Sequence, residues 1–296
     1  MHFASLYRVA GLAALSLAVP VATPVAQPPL LAPGARHVRA ELVADVAAVA
    51  PGTPFRMAVR LSMEKGWHVN WINPGDAGLA PSIAWKLPAG FKAGILHWPL
   101  PARFETGPLT IFGYADEVLL MTDVQPAAGL APGGNIEVAA DVSWLACAEE
   151  CIPGSASLTL QLPVEKTARS NDEQRKAFDA TEARLPQHAV AWNVDAHIEQ
   201  STTLVLEIQK GTESSAPLEG LFFFPYDSGL IENAEAQVVS MQPGPGGQSL
   251  YQLRITRARI PSGAMTKVQG LLVGTSGLSA GGGPAAIEID IPVRPH

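Results

Sequence analysis

Two residues in this sequence could carry covalent chemistry. They are its only cysteines, Cys147 and Cys151, set four apart in the run SWLACAEECIPGSA. A disulfide needs Cα atoms within about 7 Å. Residues at this spacing meet that limit only where the chain turns, so a helical turn or a tight hairpin is required. The flanking SWL and SASLTLQL read as strands, and Ile152-Pro153-Gly154 redirects the chain. Loop-closure entropy grows with loop length, so a bridge across three residues stabilises little. Three readings stay open on spacing alone: a reversible dithiol that exchanges electrons, a pair of soft thiolate ligands suited to Cu(I), and an inert bridge in a structural sandwich. Glu149 and Glu150 lie between the thiols and disfavour the thiolate, while no Lys, Arg or His is adjacent. Cys151, next to the turn, is the expected nucleophile. Cys147 follows the apolar Trp144-Leu145-Ala146, where burial disfavours its charged form.

Other chemistries lack their residues. His68, His97, His188 and His197 are scattered without ligand spacing, and Met63, Met121, Met241 and Met265 are too dispersed for a copper site. No metal and no cofactor is expected. The formal charge is −7. Residues 1–26 hold Arg8 and no acid, so removing them takes −7 to −8. An acidic chain without a basic patch excludes nucleic acid and anionic lipid as partners.

The N-terminus has the layout of a secretory signal. Residues 1–8 carry one basic side chain, and VAGLAALSLAVPVA is apolar but too short to span a bilayer. The expectation is a signal peptide over 1–26, a Pro-rich tether over 27–37, and an exported mature chain that does not insert in a membrane. Export also explains why paired cysteines would be oxidised or redox-active.

The elements that must position the cysteines are strands. Apolar share is 47%, with 27 Gly and 26 Pro, which suits short strands joined by turns. VRAELVADVAAV, FRMAVRLSM, GWHVNWI, SIAWKL, IFGYADEVLLMTDV, NIEVAADVSWL and SASLTLQLPV predict an immunoglobulin-like β-sandwich over 38–165. Ser170–Leu185 predicts a helix opened by a Ser170/Glu173 capping box and ended by Pro186, within a connector over 166–187. Strand signals resume over 188–296, giving a mainly β chain of two sandwiches joined by a short helix. The halves echo each other. Pro74-Gly-Asp76-Ala-Gly78-Leu79 returns as Pro225-Tyr-Asp227-Ser-Gly229-Leu230, and aligning the two strand ends sets Ser276, Ala280 and Gly283 opposite Cys147, Cys151 and Gly154. Trp67, Trp71, Trp85, Trp98 and Trp144 read as core, Asp76 as a turn former, and His68 and His97 as structural.

Taken together, GWHVNWINPGDAGLAPSIAW, HWPLPARF, FGYADEVLL and WLACAEECIPG resemble the periplasmic N-terminal region of the DsbD-like membrane thiol–disulfide reductases, in particular the suppressor-of-copper-sensitivity B branch. FFFPYDSGLIENAEAQ resembles that branch's second β domain. The resemblance implies that Cys147 and Cys151 are the redox pair. It implies transfer of electrons from a membrane donor to thioredoxin-fold periplasmic proteins, and hence a periplasmic location. It also implies a cap or partner region near the thiols, for which Asp76, Gly78, Leu79, Tyr114, Trp144 and Pro153 are the candidates. Family members continue into a membrane domain and a thioredoxin-like domain, whereas this sequence ends at His296 and has no C-x-x-C. The expectation is either reduction by a separate membrane protein or another duty.

Overall fold

The computed structural model describes residues 36–188, 192–210, 218–244, 249–259, 265–275 and 285–294. The expected signal peptide, most of the tether, and Ser276, Ala280 and Gly283 of the aligned repeat lie outside these residues.

In the first half, period-two alternation sends one face of each strand inward. The strand Phe55–Met63 shows it directly, with Met57, Val59 and Leu61 fully buried. It stands between Val38–Ala44 and Glu117–Gln125 in a four-stranded sheet that ends on Lys92–Ala93. The facing sheet runs in the order Cys151–Pro163, Asn135–Cys147, His68–Gly75, Leu109–Ala115, Ala102–Thr106, and Ser82–Lys86 also pairs with Asn135–Cys147. Trp71, Phe112, Val138, Val142 and Trp144 from this sheet share one core with Met57, Val59, Leu61 and Leu120 from the other. That is a sandwich.

The second half builds one eight-stranded sheet. Its order is Phe222–Pro225, Lys267–Gly274, Ala285–Arg294, Trp192–Glu199, Thr203–Lys210, Ser249–Thr256, Val238–Pro243, with Gln187–His188 parallel to Ala285–Arg294. Leu206, Phe223, Leu253, Leu272, Ile287 and Ile289 come from across this order into a second core. The protein is therefore mainly β, with two immunoglobulin-like sandwich halves and a short helix between them.

The two halves meet through rings and amides. Trp71 lies 5.5 Å from Tyr226 and 6.1 Å from Phe224, and Phe112 lies 4.9 Å from Phe224. Phe224, Leu271 and Ala286 belong to the first core although they come from the second half. Each echoed motif is bonded by an asparagine that flanks the other one. Asn73 Nδ2 donates to Pro225 O at 2.8 Å, and Asn233 Nδ2 donates to Asp76 Oδ1 at 2.8 Å.

The helix spans Asp172–Glu182, and its cap differs from the sequence expectation. Asn171, not Ser170, is the N-cap, its side chain accepting from Gln174 N. Ser170 is held in extended backbone by pairing with Val46, so the helix starts one residue later, and its hydroxyl donates to Asp172 instead. The helix is docked rather than free. Phe178 is fully buried against Val43, Ala58, Leu119 and Met121. Arg56 reaches Asp45 at 2.8 Å, Asp179 at 2.7 Å and Glu182 at 2.6 Å, tying strand to helix. Removing a fully buried ring costs about 3–5 kcal/mol. Phe178→Ala should therefore lower the denaturant midpoint by a corresponding amount. A change under about 1 kcal/mol would mean that the helix is not a packed element.

Candidate functional site

The longest hairpin in the fold places the cysteines. Asn135–Cys147 and Cys151–Pro163 pair without a break from Asn135↔Pro163 to Cys147↔Cys151. Ala148, Glu149 and Glu150 close the loop, with Ala148 N donating to Glu150 O at 3.0 Å. The last pair is disulfide-bonded, with a Cα separation of 4.1 Å. The two sulfurs have unlike surroundings. Cys147 is 2% exposed and Cys151 belongs to the exposed residues. One end of the bond is thus open to an incoming thiolate and the other is shut in.

Two predicted residues flank this tip. Trp144 pairs with Gly154, and its indole lies over that glycine so closely that an added Cβ would sit 2.4 Å from Nε1. Gly154 is therefore required by the ring rather than by the turn. Pro153, exposed, pairs with Leu145.

Sequence reasoning missed what lies on the other side. Cys147 also pairs with His68 across the neighbouring strand. His68 is 6% exposed, stacks on Phe104 at 4.9 Å and 13°, and its Nε2 finds no hydrogen-bond partner among the described residues. Burial lowers its pKa from the ordinary 6.5. Trp67, His68, Phe104, Ala148, Glu149 and Glu150 line an open cavity of about 820 Å³ at the hairpin loop, of which neither cysteine is a lining residue. Trp67 is held there by a face-to-face stack on His37 at 3.8 Å. The signal for His68 was present in the alternation of GWHVNW, which puts His68 and Asn70 on the face opposite to Val69 and Trp71. No local pattern points to Phe104.

The remaining cap candidates make other contacts. Asp76 accepts from Thr110 N at 2.7 Å through Oδ2 and from Asn233 through Oδ1, so it joins the hairpin bearing Phe104 to the second half. Gly78 has φ +116°, and its Cα faces the Asn70 amide, where a Cβ would come within 2.5 Å. Asn70 Oδ1 accepts from Leu79 N, while Leu79 as a residue is 67% exposed. Tyr114 is buried and donates to Pro99 O at 2.7 Å, and burial raises its phenol pKa well above the usual value. Of these four, Tyr114 stands nearest to the disulfide in the ladder, opposite Val69. None of the four lines the cavity. Among the described residues no group of three or more His, Cys, Asp or Glu is disposed to hold a metal ion.

Comparison with known proteins agrees with this geometry. Residues 36–163 match the family described as thiol:disulfide interchange protein DsbD, N-terminal. The crystal structure of the N-terminal periplasmic domain of ScsB from Proteus mirabilis is similar over both halves, at a TM-score of 0.59 and 18% identity, covering 88% of this chain and 96% of that one. A protein of unknown function from Porphyromonas gingivalis W83 aligns over 86% of this chain and 99% of its own, at 11% identity and a TM-score of 0.22, too low to imply a shared fold. No curated protein matches the chain. Residues 36–163 thus resemble the N-terminal domain of the DsbD thiol:disulfide interchange proteins, and the disulfide lies within the matched segment. The chain as a whole shares its fold with the N-terminal periplasmic domain of ScsB.

The buried imidazole has a consequence for stability. Its folded pKa lies below the unfolded value near 6.5. The unfolded chain therefore binds the extra proton first as pH falls. The stability tied to neutral His68 is complete above pH 6.5 and is lost as pH drops from there through the lowered folded value. Thermal unfolding of the oxidised protein followed between about pH 7.5 and about pH 5 should show this loss, and His68→Phe should flatten it. An unchanged slope in the variant would mean that other groups carry the acid sensitivity.

Proposed function

We propose that this chain is a periplasmic carrier of reducing equivalents, accepting two electrons from a membrane reductase and delivering them to thioredoxin-fold proteins through Cys147 and Cys151. The observation that carries the reading is the asymmetric disulfide at the hairpin tip, with Cys151 exposed, Cys147 buried and an open cavity at the hairpin loop. A partner thiolate reaches only one sulfur. In the delivering direction, the Cys151 thiolate attacks the partner's disulfide and forms a mixed disulfide. Cys147 then attacks Cys151, the partner leaves with both electrons, and two protons follow. We divide the chain into a signal over 1–26, a tether over 27–37, a redox-active sandwich over 38–165, a connector over 166–187 and a second sandwich over 188–296. On this reading Asp76 holds the hairpin that bears Phe104, Gly78 and Leu79 pack the loop against Asn70, and Tyr114, Trp144 and Pro153 shape the ground around the pair. Among the described residues no helix is long and apolar enough to cross a membrane.

The test is covalent trapping. Cys147→Ala leaves the exposed Cys151 without its resolving partner, and should accumulate a reductant-sensitive adduct with thioredoxin-fold proteins in periplasmic extract. Cys151→Ala should accumulate far less. In the fully reduced chain, alkylation read by peptide mass should label Cys151 faster than Cys147. Absence of any thiol-sensitive adduct from either variant would remove the carrier reading.

A further inference from the structure

We infer that His68 is the proton acceptor for Cys147 in the step that releases the reduced partner. The inference rests on the exchange reading above, and it assigns a role to a residue that no motif marks.

Three observations place His68. In an antiparallel ladder, directly opposite residues project from the same face. Cys147 stands opposite His68, and His68 stands opposite Ala115. The residues between them in sequence, Ala146 and Val69, go to the core. Cys147 and His68 therefore share the outer face of the sheet. Phe104, opposite Ile111 on the next strand pair, completes that face by stacking on the imidazole. The third observation is the orphan. A buried ring nitrogen without a partner costs free energy, and such groups in native folds call for an explanation. His68 Nε2 is such a nitrogen.

Cys147 needs what His68 offers. Once the mixed disulfide sits on Cys151, release depends on Cys147, and only a thiolate attacks. Cys147 is 2% exposed, so ionisation is opposed by lost hydration. In the step assigned here, Cys147 Sγ bonds to Cys151 Sγ while the Cys151–partner bond breaks. The electron pair leaves on the partner's sulfur. The Cys147 proton passes to His68 Nε2, and from there to the departing thiolate or to water. A lowered imidazole pKa keeps the ring neutral, and so able to accept, at neutral pH. The charged groups on the same cavity are Lys65 in the preceding turn, Glu105 beside Phe104, and Glu149 and Glu150 in the hairpin loop. Both loop carboxylates are exposed, on the side of the incoming partner.

The experiment uses the reduced mature chain and the coloured aromatic disulfide dithiobis(nitrobenzoate), followed by stopped flow. Attack by Cys151 releases a first thiolate of the reagent, and resolution by Cys147 releases a second in a concentration-independent phase. His68→Phe preserves the stack on Phe104 and removes the nitrogen. It should slow the second phase roughly 100-fold, the lower range for a positioned base, and leave the first within about twofold. His68→Gln, polar but unable to take the proton, should behave alike. In the unmodified chain the second phase should be level with pH above the His68 titration. In both variants it should rise steadily with pH, following the thiol alone. Added imidazole should restore the second phase in His68→Gly. Second-phase rates and pH profiles unchanged in folded His68→Phe and His68→Gln would overturn the assignment while leaving exchange intact. An unmodified chain that gives no second release would instead overturn exchange itself, and this inference with it.

Discussion

The site depends on one register. Asn135–Cys147 and Cys151–Pro163 are thirteen residues each and stay in step to the last pair. Because side chains alternate at a period of two, a slip by one residue would turn every side chain to the wrong face. Val138, Ala140, Val142, Trp144 and Ala146 are all committed to the core, so the slip is forbidden by their combined burial. At about 25 cal/mol per Å² of apolar surface, a row of this kind outweighs any preference of the turn. The core thus sets, from a distance, that Cys147 meets Cys151. The three-residue loop only has to close a gap already in register.

A second constraint joins the halves. Trp71 and Phe112 from the cysteine-bearing sandwich interleave with Phe224 and Tyr226 of the other. Around them the echoed loops exchange hydrogen bonds, Asn73 to Pro225 and Asn233 to Asp76. Asp76 uses its other oxygen on Thr110, in the hairpin that also bears Phe104. The position of Phe104 over His68 is thereby supported from the second half. A sandwich that holds no cysteine contributes to the surroundings of the one that does.

How far the sequence revealed this varies with the range of the interaction. The strands were legible because burial at a period of two is a local pattern, as in FRMAVRLSM. The turn at the cysteines was legible from their spacing, but Ile152-Pro153-Gly154, expected to redirect the chain, continue the strand in register with Ala146, Leu145 and Trp144. The helix was legible from its run of charged residues closed by Pro186, although the expected capping residue was wrong. Its start was misplaced because Ser170 is claimed by Val46, far earlier in the chain, and such a tertiary contact overrides local preference. His68 reads as an ordinary core histidine until the ladder sets it against Cys147. Phe104 and Asp76 owe their roles to elements brought together by topology, and the loop around Asp76 offers only turn chemistry when read alone.

The short loop at the hairpin tip also bears on how redox state and folding are coupled. Folding and disulfide formation make a closed thermodynamic cycle, so any shift in the pair's affinity for electrons on folding equals the stability difference between oxidised and reduced protein. The bond joins residues four apart that the ladder already holds together. Closing so small a ring constrains the unfolded chain little. The two redox forms therefore differ little in stability from that source, and the affinity for electrons is set by the walls around the two sulfurs. A disulfide built this way can be opened and closed without bringing the protein near unfolding in either form, and a substitution elsewhere in the cores can weaken the fold without detuning the pair.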